Sequence, residues 1–106
     1  MPADMGPADT QVRLSGRLIC ATVDQAEIIR NHLPEHIRLT QAEPGCLSFR
    51  VWQTSDPLIW GVEECFSSAD AFAHHQQRTR NSVWWTATRA IVRQYEITGL
   101  ETGPET

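Results

Sequence analysis

Two runs of alternating residues, 46–54 and 58–66, are separated only by Ser55-Asp56-Pro57. In the first, Leu47, Phe49 and Val51 alternate with Ser48, Arg50 and Trp52; in the second, Leu58, Trp60, Val62, Glu64 and Phe66 share one side. A period of two puts successive side chains on opposite faces of a strand. An Asp-Pro turn signal between two such runs predicts a β-hairpin.

The flanking segments extend this pattern. Residues 12–22 alternate Val12, Leu14, Leu18 and Cys20 against Arg13, Ser15 and Arg17, which predicts another strand. Asp24 with Glu27 three residues on reads as a capping box. Ala26, Ile29, Leu33 and Ile37 then form one stripe of an amphipathic helix, with a kink or restarted turn expected at Pro34 and an end at Glu43-Pro44-Gly45. Ser67 or Ser68 caps a second helix over 69–80, Asn81 or Ser82 breaks it, and a short helix over 83–90 leads to a last strand over 92–99.

The order β-α-β-β-α-α-β specifies an α+β, ferredoxin-like fold: a four-stranded antiparallel sheet with helices on one face. Large apolar groups fall on both sides of the hairpin, Leu47 and Phe49 on one and Trp52 on the other. The uncovered face therefore needs a partner, and a second copy packed sheet to sheet, a homodimer, meets that need.

With 106 residues there is room for one domain, expected over 12–100, between a loose Pro, Gly and Asp-rich arm over 1–11 and a flexible tail over 101–106. The net charge is −4 and the nine basic residues are all Arg, an acidic balance that argues against nucleic acid. Without Lys, lysine-based covalent catalysis is excluded. No apolar run approaches the ~20 residues of a membrane helix, and the acidic N-terminus lacks the apolar core of a signal peptide. Cys20, Cys46 and Cys65 all fall in the expected strands, and an odd count without a secretory signal reads as reduced thiols in the cytoplasm. There is no Gly-rich phosphate loop, nucleophile elbow, Cys-x-x-Cys pair or dinucleotide fingerprint.

Two longer motifs carry a resemblance. Glu43-Pro44-Gly45-Cys46-Leu47-Ser48-Phe49 is similar to the Glu-Pro-Gly-x-Leu-x-Tyr/Phe junction of the antibiotic biosynthesis monooxygenases. Glu64-Cys65-Phe66, followed by Ala71-Phe72 and His75, resembles their Glu-x-Trp…Ala-Phe-x-x-His stretch, with Phe66 in place of the commoner Trp. Cys46 stands where Asn is frequent. The resemblance implies a dimeric α+β barrel with a pocket in each subunit between sheet and helices. Some members oxidise quinols or polyphenolic aromatics with O₂ and neither metal nor flavin. Others degrade heme, but those relatives use an Asn on strand one and residues 12–22 contain none.

Among residues able to carry chemistry, Glu64 lies on an apolar strand face, where desolvation raises a carboxyl pKa unless a donor compensates. It suits a catalytic carboxylate, or alternatively a structural one bonded to Arg or a backbone N–H. His75 shares a helix face with Ala71 and Phe72 and is expected to point inward, whereas His74 lies about 100° away. An imidazole there suits deprotonation of a phenol, or a core histidine bonded to Glu64 or a backbone carbonyl. His32 and His36 have a metal-ligand spacing, but Pro34 lies between them and no third ligand is well placed, so no metal is expected and His36 is assigned to the pocket lining. Trp52, Trp60, Phe72 and Trp84 are candidate walls for an aromatic ligand, with Asn81 and Arg50 as further polar candidates. Trp84 and Trp85 are adjacent on a helix, so one should face the pocket mouth or a partner subunit.

These readings converge on a cofactor-independent monooxygenase that joins O₂ to a hydroxylated aromatic such as a quinol, with His75 as base assisted by Glu64. The alternative is a non-catalytic dimer that binds a small aromatic or supports a pathway partner.

Overall fold

A computed structural model describes residues 10–100. Its elements are β1 (Val12–Ile19), α1 (Val23–Gln41), β2 (Cys46–Gln53), β3 (Ile59–Phe66), α2 (Ala69–Arg80), α3 (Val83–Thr88) and β4 (Val92–Thr98). The strands form one sheet in the order β2-β3-β1-β4, and every neighbouring pair is antiparallel. This is the ferredoxin-like α+β arrangement that the alternation predicts. The arm and tail expectations fall outside the described residues except at Thr10 and Gln11, whose side chains bond to the Ser67 carbonyl (2.8 Å) and the Cys65 thiol (3.7 Å).

Register explains which side of the sheet is buried. Leu14 sits opposite Glu64, Leu18 opposite Trp60, Phe49 opposite Glu64 and Val51 opposite Val62, so these side chains share one face. That face packs with Ala26, Ile29 and Leu33 of α1, Phe72 of α2 and Trp84 of α3 into one apolar core. A fully buried Phe66 alone contributes about 1.5–3 kcal/mol of transfer free energy to it. The opposite face presents Arg13, Arg17, Arg50, Glu63, Gln94 and Glu96. It is more polar than the sequence pattern implies, with Trp52 as its one large aromatic.

Several local expectations need correction. The α1 N-cap is Thr22, not Asp24: its hydroxyl accepts from Gln25 N (3.2 Å), while the Gln25 side chain accepts from Ala21 N (2.7 Å). The capping pair is therefore Thr22 with Gln25, two residues earlier than Asp24 with Glu27. α1 continues through Pro34 without a restart. Pro34 and Arg30, whose carbonyl loses its helical donor, are both exposed, and the buried stripe Ala26, Ile29, Leu33, His36, Thr40 runs unbroken across them. β1 ends at Ile19, so Cys20 lies just beyond it.

In β2 the register shifts between Cys46 and Ser48. The extra residue, Leu47, is thrown outward to 52% exposure instead of joining Phe49, as a bulge requires. α3 stops at Thr88 rather than 90: the Thr88 hydroxyl donates back to the Trp84 carbonyl (2.7 Å), and Arg93 donates to the Thr88 and Ile91 carbonyls (3.0 and 3.1 Å). No helix among the described residues is long and apolar enough to cross a membrane.

Candidate active site

Between the buried sheet face and the three helices lies a cavity of about 210 Å³. Leu14 and Leu18 of β1, Phe49 and Val51 of β2, and Val62 of β3 give it apolar walls. Trp84 and Trp85 close it from α3, and Arg93 and Tyr95 reach in from β4. Gly16 faces Tyr95 across the β1–β4 pair; a Cβ there would meet the Gln94 carbonyl and the Tyr95 ring. The glycine thus lets the tyrosine lie flat over the strand.

The polar centre is His75, 2% exposed. The Ser68 hydroxyl caps α2 by accepting from Ala71 N (3.0 Å), and this helix turns Phe72 and His75 inward together. The imidazole stacks obliquely on Phe66, with centroids 4.7 Å apart. Its Nδ1 lies 3.1 Å from Glu43 Oε1. Its Nε2 lies 3.4 Å from the Thr79 hydroxyl and 3.8 Å from Glu64 Oε1, too far for a direct hydrogen bond to the carboxyl. Burial pushes the His75 pKa below its ordinary value, outweighing the opposing pull of the Glu43 carboxylate, and the Arg78 guanidinium adds to the depression. The ring is therefore neutral at physiological pH and able to accept a proton.

Glu64 sits on the apolar face expected for it, 8% exposed, and its Oε1 has no hydrogen-bond partner. Burial, reinforced by the nearby Glu43 charge, raises its pKa to about 7, against a smaller lowering by Arg93. His36 completes the group. Burial first, and then repulsion from His75 once that ring is protonated and from the Arg78 and Arg93 guanidinium groups, depress its pKa to about 3. Its Nδ1 is buried without a partner.

Of the residues singled out from the sequence, His75, Glu64, His36 and Trp84 line the cavity together. Four others lie elsewhere. Trp52 is on the opposite sheet face, its ring lying on Gly61 and under the Arg50 guanidinium (4.5 Å), which also pairs with Glu63 (3.2 Å). Trp60 is on the correct face but buried in the core away from the cavity, with the Arg30 guanidinium 5.7 Å from its ring. Phe72 packs edge-on against Phe66 at 5.7 Å. Asn81 caps the C-terminus of α2, donates to the Gln77 carbonyl (3.1 Å) and borders a separate, more open depression with His32. Trp84 is buried while Trp85 is half-buried at the cavity rim beneath Arg93 (5.0 Å), so the adjacent pair divides as helix geometry requires. Among the described residues no three His, Cys, Asp or Glu side chains gather as a metal-ligand set.

The sequence reading missed Glu43, Arg78 and Thr79. Thr79 follows His75 by one helical turn and was accessible from i, i+4 spacing. Glu43 stands in the Glu-Pro-Gly junction, but no spacing rule ties it to a histidine 32 residues away.

Residues 19–84 match the family model described as antibiotic biosynthesis monooxygenase. No curated protein matches the chain. Solved structures share its fold. SnoaB, a cofactor-independent oxygenase from Streptomyces nogalater, superposes with a TM-score of 0.71 at 14% identity, covering 92% of this chain and 96% of that one. A conserved protein from Methanosarcina mazei gives 0.70 at 15% identity, over 86% and 93%. Rv0793 from Mycobacterium tuberculosis gives 0.63 at 24% identity, over 84% and 91%.

Proposed function

The chain belongs to the antibiotic biosynthesis monooxygenase family, and from that premise we propose that it oxidises a small hydroxylated aromatic, a quinol, with O₂ in the cavity beside His75, without a cofactor. The observation that carries this reading is the 3.8 Å separation of His75 Nε2 and Glu64 Oε1. Two buried proton-transfer groups face a gap that neither closes alone, and a phenolic oxygen seated there is within reach of both.

In this reading His75 takes the phenolic proton. The resulting anion passes one electron to O₂, and the aryloxyl radical and superoxide recombine into a C–O bond. Cleavage of the peroxide O–O bond then leaves one oxygen on the ring and releases the other as water. Water takes up the proton held by His75, together with the proton lost from the substituted carbon. The substrate supplies both electrons, so the protein's part is a base, a dry pocket and aromatic walls. A cavity of about 210 Å³ exceeds the ~150 Å³ that holds a benzene ring, which leaves space for ring substituents.

The working form is proposed as a homodimer in the cytoplasm. Tyr95 and Ile97, each 38% exposed on the edge strand β4, supply apolar surface for a second copy, and the three free thiols suit a reducing compartment.

Oxygen uptake by metal-free protein with a panel of quinols and hydroxynaphthalenes tests the proposal. Uptake above autoxidation that collapses in His75→Ala supports it. No uptake with any member of the panel moves the reading to a non-catalytic binder of small aromatics.

A further inference from the structure

Glu43 does not line the cavity, yet it is buried, and both its oxygens are engaged. Oε1 takes His75 Nδ1 and Oε2 takes Arg78 Nε. Arg78 is itself held by a bond from its Nη2 to the Thr40 hydroxyl (2.8 Å). The backbone at this point is tied as well: Glu43 N donates to the Thr40 carbonyl (3.0 Å), and Cys46 N donates to the Glu43 carbonyl (3.1 Å). Glu43 therefore sits on a turn braced at both ends, with its carboxylate plane set by the guanidinium.

A carboxylate only accepts hydrogen bonds. A neutral imidazole whose Nδ1 faces one must carry its proton on Nδ1, which leaves Nε2 as a bare acceptor. Nε2 is the nitrogen that faces Glu64 and the cavity. We infer that Glu43, clamped by Arg78, is a positioning residue that locks His75 in the Nδ1–H tautomer and so aims its basic nitrogen at the substrate. The inference rests on His75 acting as the base. It gives the Glu of the Glu-Pro-Gly junction a task that a turn alone does not require, since a buried carboxylate paired to a partly buried guanidinium is a costly way to end a helix.

Glu43→Gln is the discriminating substitution. Arg78 still demands an acceptor at the Oε2 position, so the amide oxygen must stay there and the amide NH₂ then points at His75. Nδ1 becomes the acceptor, and the ring proton moves to Nε2. ¹⁵N NMR of the histidine side chains at pH 7.5 reads this directly. Wild type is expected to show a protonated Nδ1 on His75, and Glu43→Gln a protonated Nε2. Quinol turnover should fall in kcat by about 10²–10⁴-fold with KM nearly unchanged, by analogy with replacing the orienting carboxylate of a hydrolase triad. Wild type with a protonated Nε2, or Glu43→Gln with Nδ1 still protonated, overturns the inference. The tautomer is read without turnover, so absence of oxidation would remove the monooxygenase reading and leave this result standing.

Discussion

The His36 imidazole lies flat against the Trp84 indole, with ring centroids 4.6 Å apart and planes inclined by 3°. One ring comes from α1 and the other from α3, and both border the cavity and also the more open depression beyond it. The stacked pair is thus the wall between a buried site and the surface.

That wall depends on the indole. Trp84→Ala should cost about 3–5 kcal/mol of stability and join the two spaces, whereas Trp84→Phe keeps a stacking partner for His36 and should cost less. Denaturant unfolding midpoints check the order of the two variants. Equal losses would mean that a phenyl ring at this position restores neither the stack nor the packing of the wall.

His36 gives the fold an acid-side weakness. Its folded pKa of about 3 lies below the ordinary value near 6.5, so the unfolded chain binds the extra proton. The stabilising contribution is complete above pH ~6.5 and is lost as pH falls towards 3. His75 is shifted in the same direction. His36→Phe should therefore flatten, without abolishing, the fall in stability between pH 6.5 and 4. A slope unchanged from wild type would show that His36 is not held neutral.

Glu64 acts in the opposite sense. Its folded pKa is raised to about 7 from 4.5, so the folded chain holds the extra proton and stability declines as pH rises between those values. The isosteric Glu64→Gln carries no such penalty, and its stability relative to wild type should increase from pH 4.5 to 7 and level off above. A constant difference across that range would place the carboxyl in a solvated or donor-rich setting.

How far the sequence reaches depends on the range of the interaction. Alternation located the first three strands and put Glu64 among Trp60, Val62 and Phe66, because period two is a property of the local chain. Helical spacing turned His75 inward for the same reason. Local rules failed where tertiary packing overrode them, as at Pro34, where a buried stripe on the far side of the helix carries α1 onward. They failed again at Leu47, where a bulge exchanges the faces. Trp52, Trp60 and Phe72 are large aromatics beside correct motifs, but composition does not say whether a ring fills the core, an outer face or a cavity wall. Glu43 and His75 meet only because the α1–β2 turn folds beside α2, and no spacing rule spans that distance.

The pairing of Gly61 with Trp52 offers a clean separation of fold from site. A Cβ on Gly61 would meet three atoms of the Trp52 ring and no closer backbone, on the sheet face away from the cavity. Gly61→Ala alone should cost about 1–3 kcal/mol through overpacking. In a Trp52→Ala background the clash is gone, and the same change should be neutral or should stabilise by about 0.5–1 kcal/mol, because alanine suits a strand interior better than glycine. A double-mutant cycle in denaturant measures that reversal. Ligand affinity at the cavity should remain at the wild-type level in every corner of the cycle that folds. Additive losses would mean that Gly61 is required for backbone shape instead of for the ring, and a loss of affinity in the folded Trp52→Ala protein would tie the outer face to the site.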